Sequence, residues 1–124
     1  MVAPTAGDST SSKAQELMLW LDYTGGQLPI GWVGGPTATI ADLYGVSWKL
    51  YQGVNEDTGI TVSSLLPDTL FTGTFEGDVK EWLMALAELG VFDETVFVNV
   101  GNAGTEPFYG KAKVEAEVGL EIKL

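Results

Sequence analysis

A chain of 124 residues forms one domain at most. Apolar residues make up 45% of it and mean hydropathy is +0.15, enough for a core and too much for global disorder. Seventeen acidic against six basic residues give a net charge of −11, which repels phosphate backbones and anionic lipid, so nucleic acid and membrane are not expected as partners.

Residues 1–12 turn small and polar after Pro4 and are expected as a poorly ordered arm ahead of a single unit over 13–124. Residues 14–23 read as a β-strand, whose side chains alternate between faces. Leu17, Leu19 and Leu21 then share a core face, while Glu16, Met18 and Trp20 share the other. A carboxylate in line with a thioether and an indole is costly to bury unpaired. Such a face suits a sugar, since Met and aromatic surfaces stack on pyranose rings and a carboxylate can reach the anomeric carbon. Residues 24–36 are dense in Gly and Pro, interrupted by Leu28, Ile30 and Trp32, and read as a long surface loop of the kind that borders clefts.

A short strand is expected from residue 38, ending near Gly45. Residues 46–51 alternate as a half-buried strand, residues 55–59 carry hairpin turn chemistry, and residues 60–66 return. Residues 71–75 form a further apolar piece. Residues 77–89 show the one helical spacing, with Val79, Trp82, Leu83, Leu86 and Leu89 on a stripe. Asp78 with Glu81 resembles a capping box and Gly90 suits the position past the helix end. Residues 95–103 read as strand again. Residues 111–124 alternate strictly and predict a long strand with one wet face. Many strands joined by turns, with one helix, argue for an all-β fold, a β-sandwich or jelly roll.

Neither Cys nor His occurs, which excludes disulfides, thiolate nucleophiles, Ser–His triads and the usual zinc sites. Acid–base chemistry near neutral pH therefore falls mainly to carboxylates. No metal or other cofactor is expected. No apolar run reaches the roughly 18 residues of a membrane span. The first eight residues lack the charged and apolar regions of a signal peptide. A second carboxylate, Glu106, sits between Thr105 and Pro107, and Pro107 pushes it towards extended backbone. Tyr23, Trp32, Tyr51 and Tyr109 are candidate groove aromatics, though each taken singly reads first as a packed ring. Trp48 and Trp82 are assigned to the core.

Several of these stretches occur together in a known family. Glu16 to Leu21 (ELMLWL), Tyr23 with Gly25-Gly26 and Pro29-Ile30-Gly31, and Ser47-Trp48-Lys49-Leu50-Tyr51 with Gly53 come first. Gly77-Asp78-Val79-Lys80 and Ala103-Gly104-Thr105-Glu106-Pro107-Phe108 follow in the same order. The chain thereby resembles family 12 glycoside hydrolases, the small microbial endoglucanases and xyloglucan-specific endoglucanases, over their C-terminal half. The resemblance implies part of a concanavalin-like jelly-roll β-sandwich of glycoside hydrolase clan C type, with one packed α-helix. It implies retaining hydrolysis of internal β-1,4-glucosidic bonds in cellulose, β-glucan or xyloglucan. Glu16 would be the nucleophile and Glu106 the general acid/base, with carboxyls about 5–5.5 Å apart. Met18, Trp20, Tyr23, Pro29, Phe108 and Tyr109 would bind the substrate. Secretion is implied, although the chain as written carries no signal peptide. An Asp that in the family assists the pair would fall around residues 2–4, where this chain has no acid. A second expectation stays open beside the first: an inactive remnant that binds glucan, or that engages a proteinaceous inhibitor as a decoy.

Overall fold

The structure, a computed structural model, describes residues 1–104, 106 and 119. Among the described residues six strands make one sheet: β1 Val2–Ala3, β2 Gln15–Leu19, β3 Ala38–Leu43, β4 Val46–Val54, β5 Thr61–Pro67 and β6 Phe97–Val98. Their spatial order is β3-β4-β5-β2-β1-β6. Every pairing is antiparallel except β2 with β5, which run parallel from Gln15↔Thr61 to Leu19↔Leu65. Helix α1 spans Val79–Glu88.

Turn chemistry sets the local order. Tyr44 and Gly45 both have positive φ (54° and 78°), as a two-residue hairpin with the twist of its strands requires. The Asn55 side chain accepts from Asp57 N (3.0 Å) and its carbonyl from Gly59 N (2.7 Å), closing the β4–β5 hairpin. The helix is capped at both ends. The Asp78 side chain accepts from Lys80 N at 2.9 Å. Gly90 N donates to Ala87 O and Val91 N to Leu86 O, both at 3.0 Å, the paired bonds of a Schellman end. The expected capping box is only half made: Tyr44 Oη, not Glu81, accepts from Asp78 N at 2.7 Å.

The core lies between the sheet and α1. Trp48, Leu50, Leu65, Trp82 and Leu86 are buried together, with Leu17, Leu19 and Leu21 packed against them. Burying each such side chain contributes about 1.5–3 kcal/mol. Phe71 and Phe75 form no strand; they lean on Trp48 and Trp82, with centroids 5.6 and 6.0 Å away. The expected strand at 95–103 shrinks to β6, because its partner β1 is only two residues long. Within the expected arm, Val2 and Ala3 are buried; Val2 pairs with both Gln15 and Val98, and Ala3 with Phe97. The predicted strand at 111–124 lies outside the described residues.

Candidate functional site

The leucines of β2 and its continuation face the core, so period two turns Glu16, Met18 and Trp20 to the opposite face. Register carries that face across the sheet. Glu16 pairs with Val62 and Val62 with Gly53; Met18 pairs with Ser64 and Ser64 with Tyr51. Over these rows lies the loop after β2. Two glycines let it settle there. A Cβ on Gly53 would stand 2.5 Å from Ile30 Cγ2, and one on Gly31 (φ 90°) would stand 2.1 Å from Gln52 O.

Sheet and loop enclose a cleft lined by Glu16, Met18, Trp20, Gln27, Leu28, Pro29, Ile30, Asn55, Val62, Ser64 and Glu106. Five of the residues singled out in the sequence thus meet at one place: Glu16, Met18, Trp20, Pro29 and Glu106. Glu16 is half-buried and Glu106 exposed. Tyr23 is not in the wall; its ring stands edge-on to Trp20, with centroids 5.8 Å apart. Phe108 and Tyr109 lie outside the described residues. Trp48 and Trp82 are core, as their spacing implies. Ser64, Val62 and Asn55 do not stand out as site residues in the sequence. Alternation places Val62 and Ser64 on one face of β5, but nothing in the sequence says that β5 lies parallel beside β2.

Two buried polar groups in this wall, Trp20 Nε1 and Ser64 Oγ, have no hydrogen-bond partner among the described residues. Orphaned groups in a native wall are uncommon and cost about 1–3 kcal/mol each. The electrostatics fit a neutral guest, since among the described residues the cleft lining holds two carboxylates and no basic side chain. The α-amino group of Met1, donating to Val100 O at 2.9 Å, is held below its ordinary pKa by burial, while the charge of Glu16 opposes that shift. Among the described residues no group of three or more Asp or Glu side chains stands close enough to hold a metal ion.

Together the curled sheet and its groove define a β protein with two carboxylates, an indole and a thioether in one cleft. Residues 1–120 match the model of glycosyl hydrolase family 12, and the chain belongs to that family. It is 41% identical over 106 residues to the xyloglucan-specific endo-beta-1,4-glucanase A of Aspergillus aculeatus, covering 85% of this chain and 42% of that protein. It is 33% identical over 106 residues to "Inactive glycoside hydrolase XLP1" of Phytophthora nicotianae, covering 86% and 43%. A solved structure of a thermostable cellulase derived from Cel12A of Rhodothermus marinus superposes with a TM-score of 0.61 at 26% identity, covering 77% of this chain and 41% of that one. The all-β class with one packed helix is therefore the family's jelly roll. The chain spans about two-fifths of the length of the relatives it matches.

Proposed function

We propose that this chain carries the catalytic cleft of a retaining endo-β-1,4-glucanase acting on xyloglucan, mixed-linkage β-glucan or cellulose. The observation that supports it is the meeting of Glu16 and Glu106, distant in sequence, in one wall with Met18 and Trp20. Glu16, on strand β2, attacks the anomeric carbon as Glu106 protonates the leaving oxygen. A glycosyl ester on Glu16 results, and Glu106 then takes a proton from the water that hydrolyses it. Met18 and Trp20 stack beneath the sugar. A polymeric substrate cannot enter a cell, so the working protein acts outside it.

Reducing-sugar release from xyloglucan, β-glucan and carboxymethylcellulose tests the reading. Glu106→Gln should lose about 10²–10⁴-fold, and Glu16→Gln should be silent because an amide is no nucleophile. Equal signals from all three proteins would end it. A second reading has its own support: glucan or inhibitor binding without hydrolysis. Beside the Glu16 strand, β1 offers Val2 and Ala3 where the family's assisting acid would fall, and one relative is named inactive. Retardation in glucan gels with no sugar release would favour it.

A further inference from the structure

Trp32 lies outside the cleft wall, yet its setting is unlike that of a packed or a stray aromatic. Its ring stacks on Tyr51, with centroids 4.9 Å apart and planes 30° from parallel. Tyr51 is buried, while Trp32 is 42% exposed, so one side of the indole is covered and solvent reaches the rest. Tyr51 belongs to the same row as Met18 and Ser64. Two strand spacings separate Tyr51 from Met18, about 10 Å.

The indole is also held in place. Trp32 N donates to Pro29 O (3.2 Å), and Gly35 N to Trp32 O (3.0 Å). Gly31 presses against the backbone of Gln52. The four residues from Gln27 to Ile30 on the same loop line the cleft, so its surface runs on towards Trp32. An aromatic fixed before binding loses little entropy when a ligand arrives.

We infer that Trp32, seated on Tyr51, is a stacking platform for a further pyranose ring of a glucan chain leaving the Glu16 cleft. This rests on the glucan reading above. Both faces of a β-linked glucose ring carry axial C–H groups that pack on an indole. The net charge of −11 favours such a neutral chain over an acidic polysaccharide.

Affinity electrophoresis in xyloglucan and β-glucan gels, with binding of a short cello-oligosaccharide measured separately, tests it. Trp32→Ala should bind long glucan about tenfold more weakly, bind the short sugar as before, and leave the melting temperature within a few degrees. Trp32→Phe should recover most of the loss. Equal retardation of wild type and Trp32→Ala would overturn the platform. So would parallel weakening for long and short sugars, because that means the loop has moved. A change in sedimentation mass alone would assign the ring to contact between copies of the chain and overturn it too. An unretarded wild type, in contrast, removes the glucan reading of the cleft itself.

Discussion

Alanine at Gly31 would test whether the loop is truly pressed onto the sheet. The added Cβ would lie 2.1 Å from Gln52 O and 2.6 Å from its carbonyl carbon. Backbone cannot swing aside as a side-chain tip can, so the loop must lift by about 1 Å to restore ordinary contact. Gly31 also sits at φ 90°, where an L residue costs about 1–2 kcal/mol. Lifting weakens the Trp32–Tyr51 stack, worth about 0.5–1.5 kcal/mol. It also strains the bonds from Trp32 N to Pro29 O and from Gly34 N to Gly31 O. The total is about 2–4 kcal/mol. In a domain of this size that lowers the melting temperature by about 10 °C. Gly26→Ala is the control: φ is 75° but nothing lies within 4 Å, so only backbone strain remains. Both substitutions stiffen the unfolded chain alike, and that effect cancels in the difference. Thermal melts followed by far-UV CD measure both. Equal losses would show that the loop does not rest on Gln52 and would remove the pinned wall of the cleft.

Two further outcomes follow from the caps and turns. Asp78→Ala should cost about 1 kcal/mol through the lost bond to Lys80 N, with Asp78→Asn nearly neutral; urea melts monitored by helical CD would read it, and no difference between the two would refute the cap. The Asp8 carboxylate accepts from Ser11 Oγ, Ser11 N and Thr10 N, and the Ser11 side chain, chiefly, holds its pKa below the ordinary value. A lowered folded pKa favours the charged form, so its contribution is present above the ordinary carboxylate pKa and fades as pH falls towards the folded value. Asp8→Asn should therefore show a smaller loss of stability on acidification than wild type, and identical acid limbs in pH-dependent melts would contradict this.

Relations that live within a few residues are legible in the amino-acid order itself. The alternation in residues 16–21 puts Glu16, Met18 and Trp20 on one face because adjacent strand residues must point oppositely. Asp78 and Gly90 mark the helix ends because cap chemistry is local. Asn55 to Gly59 announces a hairpin for the same reason. The family motifs add the expectation that Glu106 joins Glu16, and both line the cleft.

What only the tertiary structure decided joins residues far apart in the chain. The parallel partnership of β2 and β5 brings Val62 and Ser64 beside the carboxylate, though more than forty positions separate the strands. Gly53 reads as a weak point in a strand until Ile30 is seen resting on it. Tyr44 displaces Glu81 at Asp78 N because the β3–β4 turn carries it to the helix start. Trp32 and Trp82 look alike as letters, yet one stands half in water and the other is buried against Trp48. Periodicity fixes which side a residue faces. What stands opposite it depends on loop closure and packing summed over the whole chain, and no short window of sequence contains that sum.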